Sequence, residues 1–232
     1  MDERRVALVS GANRGIGREV VGLLAARGMA VALGARDLRA GEEAADRLRR
    51  KRFDVRPYQL DVTDPVSVEA VAHRLEGEFG RLDVLVNNAG IYPEGDATSM
   101  DMDVAELCWQ TNALGAWRLA VATIPLMRRH GWGRIVNVSS EAGSLASMSA
   151  FMAAYNVSKA ALNAITRVLA ADLRGSGILV NSVCPGWVAT EMGGRGAPRS
   201  PEQGAAAVLW GVLLPDDGPT GGFYRDGRQL RW

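Results

Sequence analysis

Short runs of aliphatic and β-branched residues recur along the whole chain, separated by longer stretches whose apolar residues follow a helical spacing. Such runs are typical of strands buried on both faces, and the stretches between them are long enough for crossover helices. The pattern predicts an α/β fold in which helices cover both faces of a parallel sheet of about seven strands. The predicted strands are residues 6–10, 30–35, 56–62, 84–87, 134–139, 179–183 and 222–224.

Two helix starts are marked by capping residues. Asp64 precedes Pro65, and Ser200 precedes Pro201 with Gln203 at the third helical position. A side-chain acceptor followed by proline is typical of a helix N-terminus, and the Gln completes a capping box. We find no repeat or linker, so we expect residues 1–232 to form a single domain.

Composition and charge exclude several classes of protein. With 47% hydrophobic residues and a net charge of +1, the chain has material for a core and no broad field for nucleic acid or an anionic membrane. No apolar run approaches the roughly 18 residues of a membrane span, and we expect a cytoplasmic protein. Two cysteines and two histidines, at no metal-binding spacing, predict no metal site.

A glycine-rich turn follows the first predicted strand and opens a helix. Gly11, Gly15 and Gly17 have the spacing G-x-x-x-G-x-G. Glycines at this place let a pyrophosphate approach the backbone N–H groups of a helix N-terminus. A turn that serves only chain direction is the alternative. The position in the first βα unit favours dinucleotide binding.

The end of the second predicted strand bears on the choice of cofactor. Position 35 is Ala, where a carboxylate would bind a ribose 2′-hydroxyl, and Arg36 follows it. Arg14 lies in the glycine-rich turn, and two guanidinium groups at one corner suit a 2′-phosphate. We therefore expect NADP(H) in preference to NAD(H). The alternatives are that both are solvated cations or that Asp37 pairs with Arg36.

Tyr155 and Lys159 share one face of a predicted helix, since they are four residues apart. Lys159 is one of only two lysines beside 25 arginines. Two residues with this spacing are usually a surface pair, but the residues around them in the predicted helix are mostly small and apolar. A phenol with an ordinary pKa near 10 is a poor acid–base group at neutral pH, and a neighbouring cation lowers its pKa.

These motifs together resemble the short-chain dehydrogenase/reductase family over essentially the whole chain, and the closing Gly221-Gly222-Phe223-Tyr224-Arg225-Asp226-Gly227 resembles its carbonyl-reductase-like branch. The resemblance implies a Rossmann-type doubly wound sheet and an enzyme that uses a nicotinamide dinucleotide. The motifs, in the family's order, are the Gly11–Gly17 turn, Leu60-Asp61-Val62, Asn87-Asn88-Ala89-Gly90, Asn112, Val138-Ser139-Ser140, Tyr155 with Lys159, and Cys184-Pro185-Gly186-Trp187-Val188-Ala189-Thr190.

The resemblance also implies roles for individual residues. Tyr155 would be the general acid in reduction and the base in oxidation, and Ser140 would hydrogen-bond the substrate oxygen. Lys159 would lower the pKa of Tyr155 and hold the nicotinamide ribose, and Asn112 would hold a water that links Lys159 to solvent. The implied cofactor-binding residues are Gly11, Asn13, Arg14, Gly15, Ile16, Gly17, Arg36, Asp61, Val62, Asn88, Ala89, Gly90, Tyr155, Lys159, Pro185, Gly186, Val188 and Thr190.

Some of these positions have plainer alternatives. Asn112 could be an ordinary polar residue of its helix, Asn87 a turn residue, and Thr190 a helix cap. Ser140 lies farther before Tyr155 than is usual in the family, so Ser139 and Ser144 remain alternatives to it.

The resemblance implies reduction of a ketone, aldehyde or quinone with NADPH, and the reverse oxidation of an alcohol. A non-catalytic dinucleotide-binding regulator and an epimerase or dehydratase are the alternatives. The segment after Thr190 is short, which predicts an open substrate pocket. We expect such a pocket to accept bulky or varied carbonyl compounds. The expected partners are a small-molecule carbonyl or alcohol substrate, with no nucleic acid and no membrane, and a homodimer or homotetramer.

Overall fold

Eight strands alternate with seven α-helices along residues 4–232, the part of the chain that the computed structural model describes. The strands are β1 (Val6–Val9), β2 (Ala30–Ala35), β3 (Val55–Gln59), β4 (Val84–Asn87), β5 (Gly133–Val138), β6 (Ile178–Val183), β7 (Phe223–Arg225) and β8 (Arg228–Gln229). They form one sheet in the order β3-β2-β1-β4-β5-β6-β7-β8. All neighbours are parallel except β7 and β8.

The helices cover both faces of this sheet. They are α1 (Gly15–Ala25), α2 (Leu38–Arg49), α3 (Pro65–Phe79), α4 (Met102–Trp109), α5 (Gly115–Arg128), α6 (Ala153–Asp172) and α7 (Pro201–Val212). One core cluster unites apolar residues of the sheet with α1, α2 and α7, and a second unites its other face with α3, α5 and α6. A π-helical turn, Gln110–Leu114, joins α4 to α5.

The doubly wound α/β class is confirmed, with two differences of detail. The chain adds the exposed strand β8, whose two polar residues carry no hydrophobic pattern. An Asp226-Gly227 turn with positive φ at both residues makes the hairpin, and this dipeptide is its sequence signal. Strand β3 ends at Gln59 rather than residue 62. Leu60 N still donates to Ala35 O at 2.9 Å, but the chain then turns where the Asp61 carboxylate accepts from Thr63 N.

Both predicted helix starts are confirmed. The Asp64 carboxylate accepts a hydrogen bond from Val66 N at 3.0 Å. Ser200 and Gln203 form a reciprocal capping box at the start of α7.

The sheet order reverses at β1, which lies between β2 and β4. The crossovers on its two sides run to opposite faces of the sheet, so a crevice forms beyond the carboxyl ends of β1 and β4. The loops that carry the candidate residues all leave the sheet at this edge. Within residues 4–232 no helix is long and apolar enough to cross a membrane.

Candidate active site

The glycine-rich turn is built against the loop that follows β4. Gly11 has φ +62°, and a Cβ there would lie 2.8 Å from Ala89 Cα. A Cβ on Gly17 would lie 2.5 Å from Asn88 Nδ2. A side chain at either position would collide with the loop after β4, so the close packing of the two loops needs glycine at both. We call the glycine-rich turn, residues Gly11–Gly17, the cradle.

Ser10 ties the two loops together, and it is a residue that the motif reasoning missed. Its Oγ accepts hydrogen bonds from Asn88 N and Ala89 N, each at 3.1 Å. The Asn88 amide in turn donates to Ser10 O and Gly11 O at 3.0 and 2.9 Å. A polar side chain where the apolar β1 ends was the available signal.

The segment after β6 approaches the same turn from the other side. A Cβ on Gly15, which has φ +55°, would lie 3.4 Å from Thr190 Cγ2. Thr190 Oγ1 accepts from Gly193 N at 3.1 Å and so closes a local turn, whereas α7 begins only at Pro201. Thr190 is therefore not the cap of the next helix. Pro185, Gly186 and Val188 belong to this same segment.

The two arginines proposed for a 2′-phosphate have different surroundings. The exposed Arg14 forms an ion pair with Glu191 of the segment after β6. Arg36 is exposed at the end of β2. The carboxylate of Asp37 accepts from Arg39 N at 2.9 Å and caps α2, which gives it a role other than pairing with Arg36.

The remaining cofactor candidates lie along this crevice, some of them in structural contacts of their own. Asp61 Oδ1 accepts from Thr63 N and Oγ1 at 2.9 and 2.7 Å, which shapes the loop after β3. Val62 is buried, and a Cβ on Gly115 would lie 2.7 Å from Val62 Cγ2. Asn13 and Ile16 lie in the glycine-rich turn and the first turn of α1.

Lys159 is a buried cation beside the phenol of Tyr155. Its Nζ lies 5.6 Å from the centroid of the Tyr155 ring and donates to Val138 O at 2.8 Å. Burial lowers the pKa of Lys159 to about 8. An ammonium group has three N–H donors, so this lysine has donors left for a ligand.

The direction of the pKa shift of Tyr155 is opposite to the one expected. The pKa of the phenol was expected to fall because of Lys159. In the structure burial raises the pKa of Tyr155, and the Ser140 side chain acts in the lowering direction. Desolvation of the charged form outweighs the neighbouring polar groups here.

The phenol of Tyr155 is also less accessible than the short post-Thr190 segment predicts. Tyr155 is only 8% exposed. The ring of Tyr92 packs edge-on against it, with centroids 4.7 Å apart and planes at 75°. The expectation of an open pocket is therefore wrong at the phenol. Tyr92 lies in an irregular segment, where no periodic signal could reveal the contact.

Of the three candidate serines, Ser140 is the one whose side chain acts to lower the pKa of Tyr155. Its Oγ also accepts from Ala142 N at 3.2 Å, in the 3-10 turn Glu141–Gly143. Ser139 Oγ is buried without a partner, and Ser144 is buried at the end of the turn.

Asn112 lies in the π-helical turn, where its side chain contacts the loop after β4. Its Oδ1 accepts from Ile91 N at 2.8 Å, and its Nδ2 donates to Ile91 O and Ser158 Oγ, each at 2.9 Å. A Cβ on Gly90 would lie 3.1 Å from Asn112 Oδ1 and 3.6 Å from Lys159 Nζ. The Asn112 amide is thus fixed by protein contacts beside the lysine. Ser158 was missed, although it directly precedes Lys159.

Asn87 is part of the buried packing of the sheet. Its Nδ2 donates to Asn137 Oδ1 at 2.8 Å and to Ala116 O at 3.2 Å. These contacts agree with its interpretation as a structural residue.

The geometry fits a bound dinucleotide. A cradle with no room for Cβ atoms opens at the N-terminus of α1, which suits a pyrophosphate. Farther along the same edge, a phenol, a serine hydroxyl and an ammonium group meet. Among residues 4–232, no three His, Cys, Asp or Glu side chains are grouped to hold a metal ion.

Known proteins share this sequence and fold. The family model described as short chain dehydrogenase matches residues 5–199. The carbonyl reductase (NADPH) 1 of Sus scrofa is 35% identical over 274 residues, covering 98% of this chain and 94% of the pig protein. The solved structure of salutaridine reductase from Papaver somniferum has a TM-score of 0.88 at 32% identity, covering 95% of this chain and 99% of that one. The solved structure of a single-residue variant of actinorhodin polyketide ketoreductase with NADPH has a TM-score of 0.89 at 27% identity, covering 96% of this chain and 95% of that one.

Proposed function

This chain belongs to the short-chain dehydrogenase family of oxidoreductases, and we propose that it is an NADPH-dependent reductase of ketones, aldehydes or quinones that also oxidises alcohols in reverse. The observation that carries this proposal is the meeting of Tyr155, Ser140 and Lys159 at the edge of the sheet that holds the glycine cradle. A protein that only bound a dinucleotide would have no use for the buried phenol.

Each side chain has a distinct part in the proposed reaction. The nicotinamide cofactor, when bound, supplies the hydride that reduces the carbonyl carbon. Ser140 donates a hydrogen bond to the substrate oxygen, and Tyr155 gives its phenolic proton to that oxygen as it becomes an alkoxide. In alcohol oxidation Tyr155 takes the proton back. The Ser140 side chain acts to lower the pKa of the phenol, and we propose that the positive charge of Lys159, whose Nζ lies 5.6 Å from the ring centroid, also stabilises the phenolate.

Lys159 has a second part in binding the cofactor. One of its N–H donors is used by Val138 O, and the others are available for the hydroxyls of the nicotinamide ribose. Because the Asn112 side chain is occupied by Ile91 and Ser158, the backbone of the π-helical turn is where a water linked to Lys159 would bind.

The preference for NADP(H) over NAD(H) is supported by charge and by relatives. Arg14 lies in the glycine-rich turn, Arg36 is exposed where β2 ends, and Ala35 leaves no carboxylate to repel a 2′-phosphate. The similar pig protein is named for NADPH, and the similar ketoreductase was solved with NADPH. We propose that the cofactor also contacts the remaining candidate residues, which are Gly11, Asn13, Gly15, Ile16, Gly17, Asp61, Val62, Asn88, Ala89, Gly90, Pro185, Gly186, Val188 and Thr190.

The decisive test is oxidation of NADPH with a panel of carbonyl compounds, comparing the wild type with Tyr155→Phe. We expect the wild type to consume NADPH, and the variant to lose at least about a hundredfold in kcat, because the proton donor is gone. NADPH binding, followed by fluorescence, should change little. No turnover with any compound, with binding intact, would favour the regulator. Isomerisation or loss of water without net NADPH consumption would favour the epimerase or dehydratase.

We further propose that residues 1–232 act as one unit in the cytoplasm and assemble into a homodimer or homotetramer. Exposed apolar side chains on α4, α5 and α6 support an assembly through this face; they are Leu107, Trp109, Val121, Val157 and Val168. Sedimentation of the purified protein gives the number of copies.

A further inference from the structure

We infer that Asn163 is a positioning residue for the proposed reaction: its amide holds the turn after Ser140 against α6 and so keeps the Ser140 hydroxyl at the Tyr155 phenol. We call residues Ser140–Gly143 the serine turn. The inference rests on the proposed function, in which Tyr155 and Ser140 act on the same oxygen.

Asn163 continues the polar face of α6 that carries Tyr155 and Lys159. The three residues follow one another at intervals of four, which places them on one side of the helix. Asn163 is only 3% exposed. A buried amide on this face needs hydrogen-bond partners, and those partners show what it does.

The partner of Asn163 is the last residue of the serine turn. Asn163 Nδ2 donates to Gly143 O at 3.2 Å. A Cβ on Gly143 would lie 2.6 Å from the carbonyl carbon of Lys159, so the turn rests directly on the backbone of α6. The Asn163 amide thus fastens the turn at the point where it approaches the helix most closely.

The position of Gly143 is transmitted to Ser140 through the turn itself. Gly143 N donates to Ser140 O at 2.9 Å, and Ala142 N donates to Ser140 Oγ at 3.2 Å. Ala142 of the same turn packs against the apolar cluster that contains Tyr155, and the Ser140 side chain acts to lower the pKa of that phenol. A turn released from α6 would therefore shift the Ser140 hydroxyl relative to the phenol.

The oxygen of the Asn163 side-chain amide indicates why an asparagine, and not an apolar residue, is present. Asn163 Oδ1 is buried without a hydrogen-bond partner. An unpartnered buried acceptor destabilises the folded state, and an apolar side chain of similar size would avoid that loss. The donor to Gly143 is what distinguishes Asn163 from a packing residue.

Asn163→Leu removes the donor and keeps a similar volume, and Thr166→Val is the matched control. Thr166 is also fully buried on α6, but its Oγ1 contacts Asn137 Nδ2 and Ser182 Oγ, each at 2.8 Å, and not the serine turn. Hydrogen–deuterium exchange of residues 140–147 reports the docking of the turn without any need for turnover. The pH profile of kcat for alcohol oxidation reports the alignment with Tyr155.

We expect Asn163→Leu to speed exchange in residues 140–147 and to lower kcat by about tenfold or more, as a misplaced reacting group does. The rising limb of the pH profile should move to higher pH, because a displaced Ser140 hydroxyl no longer lowers the pKa of Tyr155. The Kd for NADPH should stay within about twofold, less than 0.5 kcal/mol. Thr166→Val should leave the exchange of these residues and the pH profile unchanged.

Unchanged exchange in Asn163→Leu, or the same changes in Thr166→Val, would overturn the inference. If Asn163→Leu does not fold, Gly143→Ala tests the same docking from the other side, since its Cβ must push the turn off α6. If the wild type reduces no carbonyl compound, the proposed function fails and the exchange result alone decides whether Asn163 holds the turn.

Discussion

At the scale of single residues, the charges around the cradle decide which dinucleotide binds. Arg14 is 65% exposed and paired with Glu191, whose carboxylate is itself 72% exposed. An exposed ion pair is weakly held, so a phosphate can compete for Arg14. Glu191 thus opposes the 2′-phosphate by occupying the guanidinium, while Arg36 is exposed nearby at the end of β2.

We therefore expect Arg14→Ala and Arg36→Ala to weaken NADPH binding by about tenfold, roughly 1.4 kcal/mol, with little effect on NADH. Glu191→Gln should tighten NADPH binding by a few fold and leave NADH unchanged. Fluorescence titration with both dinucleotides measures this. Glu19→Gln, which breaks the Arg18–Glu19 pair on α1, is the matched control.

Equal losses for NADH and NADPH in the arginine variants would show that these side chains do not recognise the 2′-phosphate. If Glu191→Gln weakens both dinucleotides, the ion pair serves mainly to hold the segment after β6.

The motif spacing made Tyr155 and Lys159 predictable, because four residues of helix fix which side chains share a face. It did not reveal Glu191 opposite Arg14, or Tyr92 against Tyr155. These partners come from irregular segments far away in sequence, where no period connects side chains. Burial of the phenol, which reverses the expected pKa shift, is likewise a property of the assembled fold.

At the scale of elements, the segment after β6 is fastened by Arg199. Arg199 O accepts from Ala189 N at 2.8 Å, and a Cβ on Gly186 would lie 2.7 Å from Arg199 Cδ. Its guanidinium holds the Asp226 carboxylate through two hydrogen bonds, at 3.0 and 2.8 Å. Arg199 lowers the pKa of Asp226, so the pair persists until the pH falls through that lowered value.

We expect Arg199→Ala to loosen this segment and weaken NADPH binding by about fivefold, roughly 1 kcal/mol for a partly exposed pair. Binding is measured by fluorescence titration at neutral pH. Arg228→Ala, on the exposed strand β8 of the same hairpin, removes the same charge and should have little effect. An equal loss in both variants would mean that net charge, rather than the fastening of the segment, controls binding.

At the scale of the whole molecule, apolar runs that alternate with helical stretches predict the doubly wound sheet. Continuous apolar runs are typical of parallel strands that helices cover on both faces. Right-handed crossovers on the two sides of β1 lead to opposite faces and so create the crevice there, whereas the order of the strands is known only from the structure. Strand β8 is not predicted by this reasoning, since its two exposed residues carry no hydrophobic pattern and pair with β7 through the Asp226-Gly227 turn. Contacts between distant loops, such as Ser10 with Asn88, appear only once the fold is assembled.

The buried ammonium of Lys159 links the stability of the whole fold to pH. Burial lowers the pKa of Lys159 from 10.5 to about 8, so between these values the unfolded chain holds a proton that the folded protein has lost. The free energy of unfolding must therefore rise with pH across this interval. At lower pH the lysine is charged in both states, and the folded protein bears the full desolvation cost of the buried ammonium.

Urea denaturation of the wild type and Lys159→Met at several pH values isolates this contribution. The difference in free energy of unfolding, wild type minus variant, should be flat below pH 8 and rise by roughly 3 kcal/mol toward pH 10.5. Lys51→Met, on the exposed lysine, should give a flat difference throughout. A flat difference for Lys159→Met as well would mean that the ammonium is solvated in the folded protein. That result would remove the fixed buried cation on which the proposed stabilisation of the Tyr155 phenolate depends.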